Sequence, residues 1–213
     1  MRFKHVLPLV VVIAMSLASS WPVLAKPIAI VGFGDSLMAG YNLAPGEGFT
    51  DQLQAALRAK GHDVTVANAG VSGDTTSSGL ARLDWSVPDG TDLVILELGA
   101  NDMLRGIDPA EVSKNLDAML ARLKARRIPV LLAGMAAAPN LGHAYGEAFG
   151  TIYPKLAGKY GATLYPFFLD GVAGNASLEL DDRMHPNAAG VKRMVDGMLP
   201  TVEKALAALP KTP

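Results

Sequence analysis

The chain of 213 residues has 50% hydrophobic and 18% charged residues, 22 glycines, 14 prolines and no cysteine, and its 19 basic and 20 acidic side chains leave a formal net charge of −1. Such hydrophobicity at so low a net charge excludes a disordered chain, and the length suits one domain. The absence of cysteine excludes a disulfide scaffold, a thiolate zinc site, a cysteine nucleophile and a bacterial lipid-anchored N-terminus, and the balanced charge lacks the basic excess with which nucleic-acid binders neutralise phosphates.

The first 25 residues read as a secretory signal. Arg2, Lys4 and His5 give a positive start, the apolar run over 6–17 is interrupted only by Pro8 and Ser16, and Val23-Leu24-Ala25 offers small residues where a signal peptidase cuts. The run is shorter than the ~20 residues needed to span a bilayer, so cleavage after Ala25 is expected in place of a retained anchor. Residues 26–213 then form the domain. Arg2 and Lys4 leave with the signal and no acidic residue does, so the remainder is mildly acidic. It is expected to be periplasmic or secreted, with no stable membrane insertion.

Along the remainder, strands and helices alternate. Residues 28–33 read as a strand ending in Gly34-Asp35-Ser36-Leu37, and 49–60 as a helix stopped by Gly61. A second strand covers 64–67 and leads into a polar stretch over 70–76; a third covers 93–98 and leads into Gly99-Ala100-Asn101-Asp102. Residues 108–125 form the clearest helix: Asp108 can cap it, Pro109 takes its first position, Glu111 completes a capping-box spacing, and Val112, Leu116, Met119, Leu120 and Leu123 share one face. A strand over 129–133, a helix over 144–159, a strand over 162–165, the segment 181–186 and a final helix over 187–209 follow. Pro200 is expected to kink or divide that last helix. The strands are continuously apolar, as strands buried on both faces of a parallel sheet are, and the alternation implies a doubly wound α/β domain. In that fold ligands lie outside the carboxyl ends of the strands, where the four polar segments would meet.

Each segment has a chemical reading and a plainer one. Ser36, on a tight turn between strand and helix, has the placement of a nucleophile, and equally of a helix cap. The third glycine of a dinucleotide motif, a Walker-type lysine and the Gly-x-Ser-x-Gly elbow are all missing around it. Among four histidines, His185 stands three residues after Asp182, a spacing at which a carboxylate can hold the imidazole as a general base; a solvated Asp-His turn fits the same residues. The histidines are too scattered for an imidazole zinc site, so no metal is expected. Gly73 can present an unobstructed backbone N–H and Asn101 a side-chain N–H to a developing oxyanion, beside the N–H of Ser36, although Gly73 also suits a plain turn and Asn101 a cap.

Together these residues resemble the GDSL, or SGNH, hydrolase family. Gly34-Asp35-Ser36-Leu37 is similar to its block I, Gly73 falls in a segment similar to block II, Gly99-Ala100-Asn101-Asp102 to block III, and Asp182-Arg183-Met184-His185-Pro186 to block V. Asn68-Ala69-Gly70-Val71-Ser72-Gly73-Asp74-Thr75 and Tyr153-Pro154-Lys155-Leu156-Ala157 resemble its secreted bacterial branch of multifunctional thioesterases, lysophospholipases and arylesterases. The resemblance implies a flavodoxin-like three-layer α/β/α sandwich with a five-stranded parallel sheet. It also implies a Ser36/Asp182/His185 triad and an oxyanion hole of Ser36 N–H, Gly73 N–H and Asn101. The expected reaction is hydrolysis of a small-molecule ester or thioester through an acyl-enzyme on Ser36, without cofactor or metal, by a monomer that binds no nucleic acid. A carbohydrate O-deacetylase of the same fold and a non-catalytic periplasmic lipid or ligand carrier are the alternatives. Asp35, Leu37, Gly79, Met103, Leu104, Met135, Pro139 and Leu141 are candidates to line an acyl groove, with core packing as the plain reading. The small side chains of Met135-Ala136-Ala137-Ala138-Pro139-Asn140 replace an Arg or bulkier residue frequent in related enzymes, which implies a wider groove or a lost head-group contact.

Overall fold

The computed structural model describes residues 26–210, so the expected signal over 1–25 lies outside the described residues. Five parallel strands stand in the order β2-β1-β3-β4-β5: β1 (Ile28–Gly34), β2 (Val64–Gly70), β3 (Leu93–Glu97), β4 (Val130–Ala133) and β5 (Thr163–Tyr165). The chain runs from β1 out to the β2 edge, then crosses back to β3 on the far side of β1. Right-handed crossovers therefore place the helices on both faces, giving the three-layer α/β/α sandwich.

The helices are α1 (Ser36–Ala39), α2 (Phe49–Ala59), α3 (Thr76–Ser86), α4 (Ala100–Leu104), α5 (Pro109–Ala125), α6 (His143–Gly150), α7 (Ile152–Tyr160) and α8 (Ala188–Ala207). Helices α2 and α8 pack together, as do α3 with α5 and α5 with α7. Every residue of β3 is buried, as expected for the centre of the sheet, whereas β2 at the edge is largely open to solvent beyond Val64. Continuous apolar character therefore signals two-sided burial only for the inner strands.

Two helical expectations change, and one helix is new. The helix expected over 144–159 is two, separated at Thr151. Pro154 has no N–H to give to the Gly150 carbonyl, so it is accommodated in the first turn of a new helix instead. Pro200 does not divide α8: its ring faces solvent, and Met194, Val195, Met198, Val202 and Leu206 bury the apolar face on both sides of it. Helix α3 has no clear sequence signature because its first turn is Thr-Ser-Ser-Gly; Thr75 starts it by accepting the N–H of Ser78. In α5, Asp108 caps the N–H of Ala110 at 2.8 Å.

The carboxyl edge of the sheet is close-packed where α1 begins. Gly70, paired with Gly34 at the end of β1, has no room for a side chain: a Cβ there would collide with the backbone of Ala39. Gly70→Ala is therefore expected to lower unfolding free energy by about 1–3 kcal/mol. Gly158→Ala, in open space on the exposed side of α7, is expected to be neutral or to stabilise by up to about 1 kcal/mol. Denaturant midpoints measure both, and equal midpoints for the two variants would contradict the packing described.

Candidate active site

Ser36 stands where β1 turns into α1. Asp35 caps the helix, its Oδ1 accepting the N–H of Leu37 at 3.0 Å, and Gly40 closes it in the left-handed region at φ 79°. Because the cap takes the Leu37 N–H, the N–H of Ser36 has no internal acceptor among the described residues. The same holds for the N–H of Gly73, whose φ of 86° favours a residue without a side chain.

His185 reaches this turn from the segment before α8. Leu180 N–H donates to the His185 carbonyl at 2.8 Å and Asn187 N–H to that of Leu178 at 2.9 Å, so the segment closes on itself as a tight loop with Arg183 in the left-handed region at φ 58°. Inside the loop, Asp182 Oδ1 accepts the N–H groups of Met184 (2.9 Å) and His185 (3.0 Å), leaving Oδ2 to meet His185 Nδ1 at 2.7 Å. The other ring nitrogen, Nε2, lies 2.9 Å from Ser36 Oγ. The His185 backbone N–H, followed by its ring, holds the Asp182 carboxyl down to about 2, well inside the charged range. A carboxylate at Nδ1 favours the tautomer that carries its proton there, which leaves the Nε2 lone pair facing the serine hydroxyl. Tyr41 covers the imidazole, with ring centroids 4.5 Å apart.

The other loops are tied to this turn by polar side chains. Asn101, at the start of α4, donates Nδ2–H to Asp35 Oδ2 at 3.1 Å, so Asp35 holds the Ser36 turn and the Asn101 amide with its two oxygens. Arg82 of α3 joins three ends of chain. It pairs with Asp74 (2.5 Å), donates to the carbonyls of Gly34 and Ala69 (2.8 Å each), and lies 4.0 Å over the Phe33 ring. Arg105 donates to the Gly73 carbonyl at 2.9 Å, and Asp102 receives the N–H and hydroxyl of Thr76, which ties α4 to α3.

Ser36, Gly73, Asn101 and His185 line a single groove of about 560 Å³, otherwise largely apolar. Of the residues considered for its walls, Leu37, Met103, Leu104, Met135 and Pro139 border it, together with Ala136, Ala137 and Ala138. Three do not. Asp35 is wholly buried beneath the turn because both its oxygens are engaged there. Gly79 packs in α3 against Leu98 and Phe33 with no space for a Cβ. Leu141 ends the short 3₁₀ turn Pro139–Leu141 outside the lining. His62 pairs with Glu203 and His143 with Glu147, and neither histidine lines the groove. Among the described residues no three or more His, Asp or Glu side chains form a metal-holding group.

Sequence reasoning did not single out Tyr41, Arg82, Arg105 or Glu97. The last carried a signal nonetheless: it is a lone acid at the end of an otherwise apolar strand.

Comparison with known proteins gives a consistent outcome. Residues 33–193 match the family model described as GDSL-like Lipase/Acylhydrolase. An arylesterase of Vibrio mimicus is 43% identical over 154 residues, covering 72% of this chain and 77% of that protein. Thioesterase 1/protease 1/lysophospholipase L1 of Escherichia coli (strain K12) is 37% identical over 166 residues, 78% of each chain. The crystal structure of AlinE4, an SGNH-hydrolase family esterase, superposes with a TM-score of 0.72 at 48% identity, over 86% of this chain and 98% of that one.

The lowered Asp182 carboxyl contributes stability that is present above the ordinary value of 3.8 and is lost as pH falls through about 2. The stability difference between the wild type and Asp182→Asn is therefore expected to shrink below about pH 4. Urea unfolding at a series of pH values measures it, and a difference constant down to pH ~2 would contradict the assignment.

Proposed function

The chain belongs to the GDSL-like lipase/acylhydrolase family, and from that membership we propose that it hydrolyses carboxylic esters and thioesters through an acyl-enzyme on Ser36. The observation that carries this reading is the continuous path from Asp182 through His185 to Ser36 on the floor of an apolar groove, with bonds of 2.7 and 2.9 Å. His185 Nε2 takes the Ser36 proton as Oγ attacks the carbonyl carbon. Asp182 stabilises the imidazolium that forms. The negative oxygen of the tetrahedral intermediate is received by the N–H groups of Ser36 and Gly73 and by the second N–H of Asn101, the first being held by Asp35. On collapse, His185 returns the proton to the departing alcohol or thiol. Water then repeats the cycle against the acyl-enzyme.

The wall from Met135 to Pro139, with Leu37, Met103 and Leu104, suits an aliphatic or aryl acyl group and supports the ester reading over a sugar O-deacetylase. The small side chains of Ala136, Ala137 and Ala138 in this wall leave room for acyl groups longer than acetyl. Residues 1–25 act in this reading as a cleaved signal that delivers a monomeric enzyme outside the cytosol. No helix among the described residues is long and apolar enough to cross a membrane.

Stopped-flow hydrolysis of activated aryl esters of increasing acyl length tests the proposal. The wild type is expected to release a burst approaching one equivalent of phenol, with rates that rise beyond the acetyl ester. Ser36→Ala is expected to lose about 10⁴-fold or more in kcat and Asn101→Ala about 10²–10³-fold. Near wild-type turnover by Ser36→Ala would overturn the mechanism, and a steady fall in rate beyond acetyl would overturn the apolar acyl groove.

A further inference from the structure

The last residue of β3 is a carboxylic acid in the interior. Glu97 ends the strand Leu-Val-Ile-Leu-Glu and is completely shielded from solvent. Its Oε2 accepts the N–H of Asp35 at 3.2 Å, while Oε1 has no hydrogen-bond partner among the described residues. The carboxyl fills the space beside Gly34, where a Cβ would collide with Oε2, so the turn that carries Ser36 is packed directly on this acid.

Among the described residues, the surrounding elements offer Glu97 no compensating cation. Arg82 of α3 is paired with Asp74 and bonded to the Gly34 carbonyl; Tyr153 of α7 donates to the Leu98 carbonyl; Asp102 of α4 is engaged with Thr76; and His185 approaches Asp35 from the loop before α8. Burial, and then the negative charge of Asp35, push the Glu97 carboxyl well above the usual range. Asp35 is also raised by burial, to about 6, but the N–H of Leu37 and the amide of Asn101 favour its charged form. The side-chain hydrogen bond between the two carboxyls favours the charged form of Asp35 and the neutral form of Glu97, so of the pair Glu97 is the better-suited holder of a proton.

We propose that Glu97 is a positioning residue for ester hydrolysis: as the neutral acid beneath the nucleophile turn it keeps Asp35 in the carboxylate form, and Asp35 in turn holds the Asn101 amide with an N–H toward the oxyanion site. A protonated Asp35 would offer its O–H to Asn101, whose carbonyl oxygen would turn inward and remove a donor from that site. The inference rests on the reading of Ser36, Gly73 and Asn101 given above.

Glu97→Gln keeps an acceptor for the Asp35 N–H and a neutral donor for its carboxylate; Glu97→Leu keeps the bulk and supplies neither. The glutamine variant is expected within about threefold of wild-type kcat/KM at neutral pH. The leucine variant is expected to fall about tenfold or more near pH 6–7, mainly in kcat, and to recover most of that loss above about pH 8, because Asp35 without its donor titrates higher. A protonated-carboxyl infrared band is expected to persist in the wild type at about pH 8, above the Asp35 titration, and to be missing from Glu97→Gln. This readout needs no activity and stands even if the leucine variant does not fold. A uniform loss at every pH in Glu97→Leu, a glutamine variant as impaired as the leucine one, or no such band would each overturn the proposal. Ser36→Ala separates the two levels: retained turnover there sinks the reading of the site, whereas an inactive Ser36→Ala beside silent Glu97 variants sinks this inference alone.

Discussion

The geometry of the site depends on one buried carboxylate. Asp35 lies between the turn that carries Ser36 and the loop that carries Asn101, and it bonds to both, through the N–H of Leu37 and the Nδ2–H of Asn101. Capping at the second helical N–H leaves the Ser36 N–H unclaimed, while the bond to Asn101 fixes which side of that amide faces the groove. A carboxylate can do this because it is acceptor-only with two oxygens; a neutral side chain of the same shape would have to donate at one of them. The cost of burying its charge shows in the raised carboxyl, near 6, and the surrounding donors and the acid of Glu97 offset it.

The sheet brings the pieces to Asp35. Strands β1, β2 and β3 end at the same edge, with Gly34 opposite Gly70 and Phe33 opposite Leu96, so the loops that follow them converge by register alone. Arg82 then fastens the ends of β1 and β2 and the loop after Gly73, through a planar fork of donors that a lysine could not reproduce. Glycine is required at Gly70 by the backbone of α1 and at Gly34 by Glu97. The residues that present chemistry are few, and most of the surrounding sequence serves to hold three loops and one tight turn within hydrogen-bond distance of one another.

The layers were legible in the sequence because short apolar runs flanked by Gly and polar segments have few alternatives: the five expected strands are the five observed, within one to three residues at their ends. The helix split at Thr151 and the undivided α8 were not legible, since whether a proline ends a helix depends on which side of it the apolar face is buried. Ser36, His185, Asp182, Gly73 and Asn101 stood out by residue type and position after strands. Asp35 was misread as a wall residue because chain adjacency to Ser36 does not reveal on which side of the turn its side chain falls. Glu97 was absorbed into an apolar run, and Tyr41 and Arg105 act across distances in sequence that no local pattern encodes.

In the proposed mechanism Ser36 is a nucleophile activated by His185 and Asp182. Treatment with a fluorophosphonate, followed by intact-protein mass measurement and peptide mapping, reads that activation without a substrate. A single adduct on Ser36 is expected in the wild type, no adduct in Ser36→Ala, and labelling slowed by orders of magnitude, roughly 10³-fold or more, in His185→Ala. Ester hydrolysis that continues while Ser36 stays unmodified, or an adduct mapped to another residue, would contradict that mechanism.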